Sequence, residues 1–368
     1  MIRHRPVVAG LAFLLGLTIV SAAPRFQAAD TLPDRLTNAE FWAVSQALSE
    51  PDGYFRSDNL LSNEIYYPEV MAPLVERARR GGVYVGVGPE QNFNYIAHLR
   101  PRMVFITDVR RGNLHTQLMY KALFEMAANR VEFVERLFSR TRPAGLAADV
   151  PVNELMSAFQ EAAPAADAVY RRYLDAIRQH LTVTRALPLL KEDLEGIEEV
   201  YSNFYRFGLR ITYNSSTNGG GRGGQTTYAD LMMAADEAGA PQSYLASETT
   251  FQIMKDLEQR NLVVPVVGNF GGPKALKAVG QYARDHGSVI TAFYLSNVEQ
   301  YLIQDGIWGA FCANVATMPL DARSTFIRSE QGSRYAGSGG RGLVNSLGSM
   351  QDEVRTGCGV PSPAAALR

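Results

Sequence analysis

The sequence predicts an α/β fold built on a mostly parallel sheet of about seven strands, with a helical insertion. Three observations predict it. Short apolar runs alternate with stretches of helical period along most of the chain. The first run, Val83 to Val87, passes through a turn holding Gly86 and Gly88 into a helical stretch opening at Pro89. The second, Met103 to Thr107, ends on an acid, Asp108. Proline suits the first helical position because its missing N–H would be unpaired there anyway. A strand, a tight turn and a helix start leave backbone N–H groups facing one point, with the helix dipole behind them, which suits an anionic or polar ligand. Asp108 lies about 20 residues beyond the turn, where nucleotide-binding sheets hydrogen-bond a ribose. The plainer reading is a tight turn whose glycines serve packing alone, since a dinucleotide fingerprint would need glycine where Gln91 stands.

At 368 residues and 46% hydrophobic side chains, the chain can bury one large or two ordinary cores. Thirty-six Lys and Arg nearly balance thirty-seven Asp and Glu, and no basic run is interleaved with aromatics, so nucleic acid is not an expected partner. Arg3 and Arg5 precede an apolar run from Val7 to Val20, then Ser21, Ala22 and Ala23. That order is a secretory signal peptide over residues 1–22, and the run is short for a membrane span. Export to the periplasm or exterior is expected, with an uncleaved anchor as the alternative and no span in the mature chain. Cys312 and Cys358 would pair in such a compartment, contributing roughly 4 kcal/mol, or stand as free thiols.

Residues 23–82 read as an N-terminal helical segment, with a helix from Leu36 to Leu48 capped at Thr37 or Asn38 and a second stopped by Gly81 and Gly82. Asn63 and Glu64 precede that second helix, either as caps or near the mouth of the site. Residues 83–329 form the α/β domain. After Asp108, helical period runs to about Phe138, carrying Arg110, Arg111 and His115, for which solvated or packing roles are expected before ligand contact. Helices over Val152 to His180 and Leu189 to Tyr205 make the insertion, about 150–205. Five glycines between Gly219 and Gly224 read as a flexible connector. Helices follow at Ala229 to Ala238, Glu248 to Gln259 and Lys274 to His286, with strands at Gln242 to Leu245, Leu262 to Val267, Ser288 to Leu295, Phe311 to Thr317 and Ser324 to Arg328. Residues 330–368 read as a Gly- and Ser-rich, mostly irregular tail.

In a parallel sheet, ligands bind beyond the carboxyl ends of the strands. Those ends carry Gly86, Gly88, Asp108, Asn269, Ser296, Asn297 and Glu299. Asn269 and Asn297 also suit plain turn chemistry. The Gly turn, the acid after the second strand and the strand count resemble the Rossmann-like fold of S-adenosylmethionine-dependent methyltransferases, a family that often has glycine where this chain has Glu90. The blocks GVGPEQNFNYI, TDVRRGNL, NLVVPVVGNFGGPKAL and AFYLSNVEQYL are similar to an uncharacterised bacterial family with a methyltransferase-like sheet.

The resemblance implies S-adenosylmethionine as cofactor, its methionine portion approached by Gly86 and Gly88 and its ribose bound by Asp108; Glu90 and Asn92 of the same turn are further candidate contacts. The acceptor, a small molecule, is expected near Asn269 and Asn297, in a pocket at the strand ends whose further candidates are Asn63, Glu64 and Glu299. Methyl transfer is mostly alignment, so no acid–base pair is required; the sequence leaves the catalytic residues open and offers no metal ligands. The alternative is an exported, non-catalytic small-molecule-binding or interaction protein on the same sheet. A hydrolase ranks third: the chain has no G-x-S-x-G elbow.

Overall fold

The computed structural model describes residues 30–213, 215, 225–331 and 343–358. The expected leader, the Gly219 to Gly224 run and parts of the tail lie outside the described residues.

Six strands form one mixed sheet in the order β3-β2-β1-β4-β5-β6. They are β1 (Val83–Gly86), β2 (Met103–Asp108), β3 (Val263–Val267), β4 (Ile290–Ser296), β5 (Thr325–Gln331) and β6 (Leu343–Ser349). The first five pair in parallel, and β6 runs antiparallel to β5. Every residue of β1, β2 and β3 is buried, as expected of parallel strands covered on both faces. The strand order reverses between β1 and β4, which leaves a crevice at their carboxyl ends.

The edge strand β3 contains Pro265, which a central strand would not tolerate. Helix α1 (Asn38–Leu48) covers that edge, capped by Thr37 in a box with Glu40. Ser45 Oγ donates to the Pro265 carbonyl at 2.6 Å, and the Glu50 N–H donates to the Val267 carbonyl at 2.7 Å. The edge is thereby closed against further strand addition. The chain then reaches α2 (Met71–Arg77) before entering β1.

Helices α3 (Gln91–Leu99), α4 (Arg111–Met126) and α5 (Arg130–Phe138) follow β1 and β2. Their rings Phe93, Tyr120, Phe124 and Phe133 interlock in the core. The insertion is three helices, α6 (Val152–Glu161), α7 (Asp167–Gln179) and α8 (Lys191–Phe207). It is clamped to α4 by Asp193, which accepts from Arg111 Nε at 2.7 Å and pairs with His115 Nε2 at 2.9 Å. Helices α9 (Tyr228–Met233), α10 (Glu248–Gln259), α11 (Ala275–Asp285), α12 (Val298–Gln304), α13 (Trp308–Ala316) and α14 (Met350–Arg355) complete the described chain.

Several expectations need correction. Residues 311–317, read as a strand, lie in and just after α13, and Gln242 to Leu245 is loop. A short apolar run fits a buried helix turn as well as a strand. The sheet therefore has six strands among the described residues, not about seven, and its last one, β6, comes from the segment read as irregular. Helix α3 begins at Gln91, not at Pro89. Among the described residues no helix is long and apolar enough to cross a membrane. Cys312 and Cys358 are both free thiols that neighbour each other. Burial and the adjacent Cys358 thiol push the Cys312 thiol up.

Candidate functional site

A cavity of about 520 Å³ opens at the carboxyl edge, where the strand order reverses. Four strand exits contribute to it: Gly88 after β1, Thr107 and Asp108 on β2, Asn269 after β3, and Ser296 and Asn297 at the end of β4. The segment between α1 and α2 supplies Tyr54 to Ser57, Asn59, Ser62 and Asn63, while Tyr213 and Tyr301 close the rim. Of the expected contacts, Gly88, Asp108, Asn63, Asn269 and Asn297 therefore come together. Gly86, Glu90, Asn92, Glu64 and Glu299 do not line the cavity.

Asp108 ends β2 and is 4% exposed. Its Oδ1 accepts the Arg110 N–H at 2.9 Å and lies 3.5 Å from Arg110 Nε, so a buried guanidinium balances its charge. Two buried oxygens at the cavity, Thr107 Oγ1 and Asn59 Oδ1, have no hydrogen-bond partner among the described residues. Buried polar atoms are almost always hydrogen-bonded, so two such oxygens at one cavity mark a place for donors from outside the chain.

The turn after β1 is braced from behind. Asn92 is fully buried and donates to the carbonyls of Val87, Gly88 and Pro89 at 2.9, 3.3 and 2.8 Å, while its Oδ1 accepts from Tyr84 at 3.1 Å. A Cβ on Gly86 would sit 1.8 Å from that Oδ1, so Gly86 is there for packing. Gly88 differs: its φ is +74°, and a Cβ would meet nothing within 4 Å. Glu90 lies under the turn, where its Oε1 accepts the Ser62 N–H at 3.1 Å. Burial pushes its carboxyl up to about 8. Both Glu90 and Asn92 shape the turn without facing the cavity.

Asn269 follows turn chemistry, its Oδ1 accepting the Gly271 N–H at 2.9 Å. Glu299 faces β5, where its Oε2 accepts from Arg328 Nε at 2.9 Å, and burial raises its carboxyl. Glu64 is 1% exposed and sits behind the β4 exit, joined to Tyr294, Ser296 and Asn345.

Sequence reasoning missed the covering segment Tyr54 to Asn59, which reads as a polar turn. It is fixed by the Gly53 N–H donating to the Val109 carbonyl at 2.9 Å, and by Arg110 Nη1 donating to the Asp58 carbonyl. Two aromatics in a polar stretch, Tyr54 and Phe55, were its available signal. Phe55 meets Tyr301 edge-on at 5.0 Å, and Arg56 donates to the Tyr301 hydroxyl at 3.1 Å. The cavity thus has a polar floor and an aromatic rim carrying one cation.

A family described as "Domain of unknown function (DUF7790)" matches residues 60–188 and 148–351. The chain belongs to this family. In DUF7790 terms, the matched stretches contain every strand exit at the cavity and leave Tyr54 to Asn59 outside. No curated protein matches the chain. Among the described residues no group of three His, Cys, Asp or Glu side chains is placed to hold a metal ion.

Proposed function

We propose that this chain binds a small molecule bearing vicinal hydroxyls, of the nucleoside class that includes S-adenosylmethionine, on a Rossmann-like, methyltransferase-like sheet. One observation carries the reading: Gly88, in the turn after β1, and Asp108, at the end of the adjacent β2, share one cavity with the unpartnered oxygens of Thr107 and Asn59. The strand order, reversing between β1 and β4, is one that dinucleotide-binding sheets use.

The residues fit such a ligand. The Asp108 carboxylate lines the cavity and would accept from ribose hydroxyls, and the absence of a side chain at Gly88 lets a ligand approach the backbone. Bound there, S-adenosylmethionine would supply an electrophilic methyl group. The chain's own part is alignment: Asp108 fixes the sugar, the Gly88 turn fixes the opposite end, and the rim of Tyr54, Phe55 and Tyr301 excludes water.

A second reading, a non-catalytic exported binder, is favoured by the leader pattern of Arg3, Arg5 and the run Val7 to Val20, since the sulfonium cofactor is made in the cytoplasm. Calorimetry with S-adenosylmethionine, S-adenosylhomocysteine and adenosine separates these readings. Losing a hydrogen bond to a charged partner costs about 1.5–3 kcal/mol, so Asp108→Asn should weaken binding by about ten- to a hundredfold. Tighter binding of the two cofactor forms than of adenosine supports the methyltransferase reading, and equal binding of all three supports the second. Absence of heat with every ligand at millimolar concentration, or binding indifferent to Asp108→Asn, overturns the nucleoside assignment.

A further inference from the structure

We propose that Ser296 is a nucleophile opening onto the same cavity, with the buried carboxylate of Glu64 as its base, and that the site cleaves esters by acyl transfer through Ser296. The proposal goes beyond the nucleoside reading and does not depend on it.

Four observations carry it. First, Ser296 ends β4 at the switch point and lines the cavity. Second, its backbone is left-handed, with φ of +52°, in the turn between β4 and α12, and the pairing with β5 slips between Tyr294 and Ser296. Bulges and strained residues of this kind re-aim side chains and cluster at functional sites. Third, Ser296 Oγ donates to Glu64 Oε1 at 2.5 Å, and Glu64 is 1% exposed. Fourth, the carboxylate is held in place by neutral donors: Tyr294 Oη at 2.6 Å on Oε1 and Asn345 Nδ2 at 2.8 Å on Oε2. Among the described residues no Lys, Arg or His forms an ion pair with Glu64, so no cation competes for its charge.

The plainer account is that Glu64 only ties its segment to β4 and β6. Tyr294 and Asn345 already make those ties. They leave unexplained why a serine occupies a left-handed position that glycine would fill without strain.

The chemistry balances. Ser296 Oγ bonds to the carbonyl carbon of the ester as its proton moves to Glu64 Oε1. That proton passes to the alcohol oxygen as the carbon–oxygen bond breaks. Water then attacks the acyl-serine and gives a proton to Glu64, which returns it to Ser296 Oγ as the carboxylic acid leaves. The net reaction is ester plus water to acid plus alcohol. A buried carboxylate oriented on a hydroxyl is the pairing that general-base activation of a nucleophile requires.

A fluorophosphonate probe tests this on the intact chain without a known substrate. It reacts with a base-activated serine: the Oγ–P bond forms, fluoride leaves and the proton goes to the base. The expected result is one adduct per chain, mapped to Ser296 by peptide mass. It should be absent in Ser296→Gly, a variant that relieves the left-handed backbone and should fold. Glu64→Gln should slow labelling by roughly a hundredfold. Wild type should show a solvent deuterium isotope effect on the labelling rate, which a purely structural Glu64 would not produce. Tyr294→Phe, which keeps the Ser296–Glu64 pair, should still label. No adduct in the wild type, an adduct on another residue, or a rate unchanged in a folded Glu64→Gln would overturn the proposal. A silent calorimeter with an intact adduct would overturn the nucleoside reading alone.

Discussion

Gly86 and Gly88 stand two residues apart in one turn, and the structure gives them different tasks that a pair of alanine substitutions should separate. In Gly86→Ala the new Cβ would stand 1.8 Å from Asn92 Oδ1 and 2.9 Å from the Tyr84 ring. Neither neighbour can yield cheaply, because both side chains are fully buried. Moving Asn92 strands the Tyr84 hydroxyl and the Pro89 carbonyl, and weakens the hold on the Val87 and Gly88 carbonyls. A buried polar group left without a partner costs about 1–3 kcal/mol, so two of them give a loss of about 2–6 kcal/mol. That is a large share of the ~5–15 kcal/mol that keeps a domain folded. In Gly88→Ala nothing lies within 4 Å of the new Cβ, so only the left-handed backbone at φ +74° is penalised. The expected loss there is about 1–2 kcal/mol. Because Gly88 lines the cavity, its alanine variant should fold yet bind a nucleoside ligand more weakly. Urea unfolding followed by circular dichroism, with calorimetry on the folded variants, reads both effects. If Gly86→Ala proves as stable as Gly88→Ala, the brace on the turn is not what Asn92 provides.

Three further outcomes are expected. Glu90 and Glu258 are both buried, and burial raises each carboxyl from 4.5 to about 8. The unfolded chain therefore loses these protons before the folded one does. Their stabilising contribution is complete below the unfolded value and is lost as pH rises towards 8, at up to about 1.4 kcal/mol per pH unit for each group. Urea midpoints measured between pH 5 and 8 should fall in the wild type and flatten in Glu90→Gln/Glu258→Gln; equal slopes would contradict this. Arg130, 1% exposed, donates to the carbonyls of Leu245, Ala246 and Ala148 at 2.6, 3.2 and 2.9 Å, and also to Val150. Arg130→Met leaves them unpaired and should cost about 3 kcal/mol or more in chemical denaturation. Mild oxidation should join Cys312 to Cys358, read as lost thiol titre and a higher thermal midpoint, and Cys312→Ala should abolish both changes.

What could be read from the sequence was local. The Val83 to Asp108 unit is legible because buried parallel strands are continuous apolar runs and the turn between them is short. The convergence of Gly88, Asp108, Asn269 and Asn297 follows from parallel topology alone, since it puts every exit on one edge. What was missed depends on distant partners. Glu64 looks like a helix cap until β4 and β6, more than two hundred residues away, supply its donors. Asn92 points back into its own turn because Tyr84 and three carbonyls leave it no better bond. Strand β6 escaped notice because an edge strand needs few apolar side chains, and only one of its seven residues is buried, the polar Asn345. Segment Tyr54 to Asn59 has no periodicity. Its place over the sheet edge is set by backbone contacts with Val109 and by Arg110.

Hydrogen exchange read by mass spectrometry, with and without millimolar S-adenosylhomocysteine, puts the shared cavity to the most direct test. Slowed exchange should appear together in Tyr54–Asn63, Val87–Glu90, Val109–Arg111 and Ser296–Val298, and should vanish in Asp108→Asn. Protection confined to one of these segments, or found only in α6 to α8, would show that the strand exits do not form one ligand site.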